Sequence, residues 1–163
     1  MGKIKFFLKG ILLIALSSPT VNALAENLDI DKANQMAILY HVNEYRSQHH
    51  LKPLQLDNKM SEEAAKHSRD MASHTIPFGH LYFDKRINRL YALIKGCQGG
   101  SENVAFNYKD GRDVVRNWLT SPGHRRNIEG NFNLTGIGLA RDKNGKLYFT
   151  QMFIRSADPI YSR

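Results

Sequence analysis

Apolar residues recur at three- and four-residue steps in several stretches, each followed within a few residues by proline or glycine. That period predicts amphipathic helices. Over residues 32–48, Met36, Leu39, Tyr40, Val42 and Tyr45 lie along one side, and Leu51-Lys52-Pro53-Leu54 ends the run. A second helix is predicted from about Asn58 to His74, where Met60, Ala64, Ala65, Ser68, Met71 and Ala72 form a narrow stripe of small residues. Such a stripe lets another element approach closely. A shorter helix, Asp84 to Ile94, carries Ile87, Leu90, Tyr91 and Ile94, and a fourth carries Val114, Val115, Trp118 and Leu119. The fourth runs into Ser121-Pro122-Gly123 and is expected to stop there, leaving His124 on a loop beside Trp118.

The pattern then changes period. Two apolar runs, Leu134 to Arg141 and Lys146 to Ile154, flank Asp142-Lys143-Asn144-Gly145, and Asn-Gly between apolar runs is a strong hairpin signal. Gly136 and Gly138 alternate with Ile137 and Leu139, so one face of the first strand is bare and must be covered by a helix or a bound ligand. Ser101 to Asn107 adds a strand-like run with Glu102 at its mouth, and Gly96 to Gly100 before it reads as a flexible connection. No internal repeat interrupts the chain. Helices packed around a small antiparallel sheet, an α+β architecture, is the economical arrangement.

The first residues break this picture. Lys3, Lys5 and Lys9, an apolar run from Gly10 to Leu16 and a small-residue ending at Ala23-Leu24-Ala25 predict a secretory signal peptide over residues 1–25, cleaved after Ala25. The run is short for a membrane span. A single domain over residues 26–163 would remain, secreted to the periplasm or the exterior. Losing those three lysines lowers the formal net charge from +8 to +5. The basic residues are scattered, so nucleic acid is not an expected partner, whereas contact with an anionic envelope surface fits the sign of the charge. A monomer is expected. Cys97 is the one cysteine of the sequence, which excludes an internal disulfide, and a packed, inert thiol is its expected state.

Candidate chemistry lies in histidines and carboxylates. His67, Asp70 and His74 fall at three- and four-residue steps and could share a helix face as a fallback metal site. His80 follows the turn Ile76-Pro77-Phe78-Gly79 and stands among Phe78, Tyr82 and Phe83. Together, Phe78-Gly79-His80, Ser101-Glu102-Asn103-Val104-Ala105, Trp118 to Ile128 (WLTSPGHRRNI), Thr135-Gly136-Ile137-Gly138 and Tyr148 to Phe153 (YFTQMF) resemble the CAP superfamily of cysteine-rich secretory, antigen-five and pathogenesis-related proteins, in its small bacterial SCP-domain branch.

The resemblance implies an α-β-α sandwich with a wide cleft holding two histidines and one or two glutamates. By motif, His80 is the first histidine, Glu102 the glutamate and His124 the second histidine, while the second glutamate of many relatives falls on Ser121. Two imidazoles and one carboxylate suit a divalent cation, zinc foremost, and the same groups could instead hold a water. Three functions are compatible. The first is a secreted binding protein taking a lipid, sterol or peptide among Phe78, Tyr82, Phe83, Phe106 and Phe132, with Phe78, Asn103, Arg125 and Gln151 as candidate ligand contacts. The second is a metal-dependent hydrolase or protease with Glu102 as candidate catalytic residue, although neither an HExxH helix nor a serine elbow is present. The third is a noncatalytic envelope module in which Arg125, Asn127 and Gln151 act as struts.

Overall fold

The computed structural model describes residues 19–161. In chain order these form α1 (Pro19–Gln48), β1 (Gln55–Leu56), α2 (Asn58–Ala72), α3 (Phe83–Leu93), β2 (Cys97–Phe106), α4 (Gly111–Thr120), α5 (Pro122–Glu129), β3 (Leu134–Arg141) and β4 (Leu147–Ser156). The expected leader lies outside the described residues up to residue 18, and Ala25, itself exposed, falls in the first part of α1.

The hairpin forms as its turn chemistry requires. Asp142 Oδ1 accepts from the backbone N–H groups of Asn144 (2.8 Å) and Lys146 (2.9 Å), and Gly145 takes the left-handed φ of 79° that a side chain would resist. β3 and β4 pair antiparallel, β2 pairs antiparallel with β4, and β1 adds a short parallel contact to β3, giving a mixed sheet in the order β1-β3-β4-β2. β2 begins at Cys97, so the glycine-rich segment expected to be flexible is ladder, with one register break between Cys97 and Gly99. Cross-strand hydrogen bonds override the weak strand preference of glycine there.

Helices cover both faces, making the α-β-α sandwich. On one side α1, α4 and α5 bury Ile38, Val42, Val115, Trp118 and Ile128 against Ile137, Phe149 and Phe153 of the sheet. On the other, α2 and α3 set Met60, Ala64, Ile87 and Leu90 against Leu134, Met152 and Ile154. α2 starts at Asp57, whose side chain accepts from Met60 N–H (2.9 Å), and it answers the question left by the bare face of β3. A Cβ built on Gly136 would collide with the backbone of Met60, and one on Gly138 with the backbone of Ala64 and Ala65. A helix, not a ligand, fills that space.

The inner face of α1 is rotated from the expected one. Met36 and Tyr40 are exposed, and the buried positions are Asn34, Ile38, Val42 and Arg46, four residues apart. The two polar members escape an apolar-pattern reading because each finds polar partners in the interior. Asn34 Oδ1 accepts from Gly111 N–H at the start of α4 (2.8 Å), and the Arg46 guanidinium donates to the carbonyls of Lys52, Ile128, Gly130 and Phe132 at 2.6–3.2 Å. Arg46 thereby closes the carbonyl end of α5.

The stop at Pro122 is the other correction. Proline ends α4 and at once occupies the first turn of α5, where its missing N–H costs nothing and its fixed φ suits a helix. His124 therefore stands in a helix and not on a loop.

Candidate functional site

A cleft of about 510 Å³ opens beyond the edge strand β2. Its floor is Val104, Ala105 and Phe106, one wall is Phe78-Gly79-His80, and the other is the α4–α5 junction with Asn117, Trp118, Ser121 and His124. Phe78 and Phe106 pack at 4.9 Å between ring centroids, Phe106 stacks on Tyr148 at 5.5 Å, and the first two remain 48% and 43% exposed.

The wall carrying His80 is tied down from below. Gly79 has a φ of 136°, and its carbonyl faces Nε2 of the buried His67 at 2.9 Å. A carbonyl only accepts, so His67 carries its proton on Nε2, and its Nδ1 is buried without a partner among the described residues. Burial foremost, with a smaller contribution from the Arg86 charge, holds the His67 imidazole below its ordinary value despite the opposing pull of Glu102.

Beneath His80 sits Glu102, its side chain 1% exposed. Arg86 of α3 grips it as a two-pronged fork, Nε donating to Oε2 at 2.9 Å and Nη2 to Oε1 at 2.7 Å. A further Arg86 bond, from Nη1 to the Leu81 carbonyl (2.7 Å), fixes the turn that follows His80. Oε1 also accepts from His80 Nδ1–H at 3.0 Å, which orients the imidazole and leaves Nε2 as its other nitrogen. Burial alone would raise the Glu102 carboxyl, but the hydrogen bonds from His80 and Arg86 and the Arg86 charge outweigh it and hold the group below the usual carboxylate value.

The opposite wall is held by amides. Asn103 Nδ2 donates to the His124 carbonyl (3.1 Å), and Asn127 Nδ2 donates to Asn103 Oδ1 (2.7 Å) and to the Glu102 carbonyl (3.1 Å). These bonds fasten α5 to β2. His124 sits 6.4 Å from the Trp118 ring, and its Nδ1 and Trp118 Nε1 are buried without partners among the described residues. Burial first, and then repulsion by His80, lowers the His124 imidazole below its ordinary value.

Stability should therefore fall in acid in two steps. His67 and His124 bind protons less readily when folded than when unfolded, so their contribution is complete above the ordinary imidazole value of 6.5 and is lost as pH drops below it. Glu102, depressed below 4.5, adds a second loss beneath that pH. Melting temperatures taken from pH 8 to pH 5 should be flat at first and then decline by several degrees. A rise on acidification would contradict these environments.

Several expected site residues are placed elsewhere. Gln151 and Asn103 are fully buried, Gln151 Nε2 donates to Thr135 Oγ1 (3.1 Å), and neither lines the cleft. Arg125 lies at the surface 3.8 Å from Glu129, and Phe132 packs against Phe153 in the core. The fallback set does not converge: His67 faces Gly79, Asp70 pairs with Lys66 (2.8 Å) and His74 meets the edge of Tyr148. Among the described residues no three His, Cys, Asp or Glu side chains are grouped to hold a metal.

The His80-Glu102-His124 set does not fit a cation as expected either. Both Glu102 oxygens are occupied, and the nearest positive charge is already the Arg86 guanidinium. Two imidazoles remain, fewer than the three protein ligands of a catalytic zinc site. Cys97 is half-buried, donates to the Ile94 carbonyl (3.1 Å), and has its thiol pushed up by burial, as an inert cysteine should.

The profile of the cysteine-rich secretory protein family, CAP, matches residues 39–153, a span that includes His80, Glu102, His124 and the whole hairpin. The chain belongs to the CAP family. A relative, the uncharacterized membrane protein YlbC of Bacillus subtilis, is 34% identical over 128 residues, covering 77% of this chain and 36% of its own length. The crystal structure of an extracellular protein containing a SCP domain from Bacillus anthracis superposes with a TM-score of 0.64 at 31% identity, over 78% of this chain and 42% of that one. An outer surface protein of Borrelia burgdorferi shares the fold with a TM-score of 0.68 at 17% identity, over 77% and 94% of the two chains. This CAP chain thus spans less than half the length of both Bacillus proteins.

Asn127 takes the strut role expected of it, whereas Arg86 and His67, the support of the His80 turn, were missed at the sequence level. Arg86 had a signal. It lies four residues before Leu90 and next to Ile87, on the apolar side of its helix, and a cation there calls for a buried partner.

Proposed function

We propose that this CAP domain acts outside the cytoplasm as a binding module, taking a small apolar or peptide-like ligand into the cleft between His80 and His124. The observation that carries the reading is the exposed Phe78–Phe106 pair beside Trp118 and two imidazoles, an apolar pocket with a few placed polar groups. Export is supported by the lysine-headed apolar start of the chain and by the extracellular and outer-surface proteins whose fold it shares. None of the described helices is long and apolar enough to cross a membrane.

Binding fits this cleft better than hydrolysis does. Glu102, the candidate catalytic carboxylate, has a side chain 1% exposed and both oxygens engaged by Arg86 and His80, so it is not presented to a substrate. Arg86 and Glu102 work instead as a rigid base that sets the direction of His80.

Solvent extracts of protein purified from its exported form test the reading. Mass spectrometry should find a copurifying compound with the wild type and lose it with Phe78→Ala/Phe106→Ala, both foldable changes at exposed positions. Equal recovery from both proteins would place the compound outside the cleft. For zinc, the melting shift should be the same in wild type and in His80→Ala/His124→Ala, whereas a shift confined to the wild type would put the ion between the imidazoles.

A further inference from the structure

β2 is an outer strand of the sheet, and such edges carry a row of unpaired backbone groups. Asn107 N–H donates to the Leu147 carbonyl (2.8 Å), and the register sets Ala105 opposite Phe149 and Asn103 opposite Gln151. By the alternation of an antiparallel ladder, Asn103 and Ala105 turn their N–H and C=O groups to β4, while Glu102, Val104 and Phe106 turn theirs away from it. The bond from Asn127 Nδ2 to the Glu102 carbonyl agrees with this assignment and closes the edge at that residue.

The opposite rim shows how the fold treats such groups. Ile137 of β3 projects past the end of β1, and its N–H is accepted by Ser61 Oγ (3.2 Å) while its carbonyl accepts from Gln35 Nε2 (2.7 Å). Val104 and Phe106 receive no such cover. Among the described residues none supplies a hydrogen bond to their outward groups, although Val104 is only 4% exposed and both residues form the cleft floor. At Val104, backbone polar groups this close to burial are seldom left unpaired in a working protein.

We propose that the outward edge of β2 at Val104 and Phe106 docks an extended peptide, which pairs with it as one more strand inside the cleft. The proposal rests on the cleft being the ligand site and names the ligand's class. An acyl chain or a sterol offers no alternating N–H and C=O groups to meet two residues spaced two apart, whereas a peptide strand does so at its own repeat. Phe78 on one wall and the α4–α5 junction on the other flank the added strand, and the exposed Phe78 ring takes up one of its side chains. The Asn127 bond at Glu102 ends the pairing, so the bound segment is short.

The test uses hexapeptides in which aromatic or aliphatic residues alternate with serine or glutamine, each made plain and with N-methyl groups at alternate positions. Binding is read by the fluorescence of Trp118, the sole tryptophan of the sequence. Plain peptides should bind, N-methylation on the pairing side should weaken them by about tenfold, and the amides of Val104 and Phe106 should gain protection from hydrogen exchange. Phe106→Pro removes an N–H that makes no bond to β4 and should bind about tenfold more weakly than Phe106→Ala, which keeps it. Should Phe106→Pro fail to fold, the methylated and plain peptides on the wild type still decide. Equal binding of the two peptide forms, or no new protection at those amides, overturns the proposal. If a fluorescent fatty acid occupies the cleft and no peptide does, the docking edge is refuted and the binding-module reading survives. If neither reaches Trp118, both fall.

Discussion

Arg86→Met is expected to lower the melting temperature by roughly 10 °C at neutral pH, the largest loss of any single change around the cleft. The variant keeps the length of the side chain and removes the fork that neutralises Glu102, whose side chain is 1% exposed. An unpaired carboxylate in that position costs about 3–5 kcal/mol, because the desolvation remains and the compensating charge is gone. Two companion results identify the cause. The deficit should shrink toward pH 5, since without Arg86 the carboxyl escapes its charge by protonation. Arg86→Met/Glu102→Leu should recover most of the loss, because a buried ion pair exchanged for apolar groups is often close to neutral. A drop of only a degree or two in the single variant would mean that Glu102 is not held as described.

Gly138→Ala is expected to cost about 3 kcal/mol, measured by urea denaturation, although the substitution adds one methyl group. The added Cβ would meet the backbone of Ala64 and Ala65, and a helix backbone cannot step aside as the end of a side chain can. Either α2 lifts from the sheet or β3 bends, and both loosen Ser68, whose hydroxyl donates to the Gly138 carbonyl (3.0 Å). Gly145→Ala serves as the comparison. It sits at the hairpin tip with open space around it and should lose only the smaller amount that its φ of 79° imposes. Similar losses at the two positions would count against close packing of α2 on β3.

Periodic features of this fold were legible in the sequence, and polar contacts across distant segments were not. The alternation of Gly136 and Gly138 and the small-residue stripe from Met60 to Ala72 each announced a close approach, and they meet each other. Asn144-Gly145 announced the hairpin for a reason of local backbone chemistry. By contrast, Asn34 and Arg46 face inward because of carbonyl and amide partners as far away in sequence as Gly111 and Phe132, and no periodicity encodes those partners. Pro122 was ambiguous in principle, since one residue can end a helix and begin the next. For the site, the sequence named the three groups but carried no sign of which would face the cleft. His80 and His124 share the cleft, whereas Glu102 lies beneath it, because Arg86 of α3, 16 residues earlier in sequence, claims both of its oxygens.

Occupancy of the groove between the His80 turn and the α4–α5 junction is the central claim, and Trp118 reports on it directly. Its emission should be quenched or shifted in a saturable way when a ligand recovered from the exported protein is titrated back, and Phe78→Ala/Phe106→Ala should weaken that response by tenfold or more, roughly the loss of two aromatic contacts. Saturable binding that leaves Trp118 emission unchanged, or that is indifferent to both phenylalanines, would contradict the account.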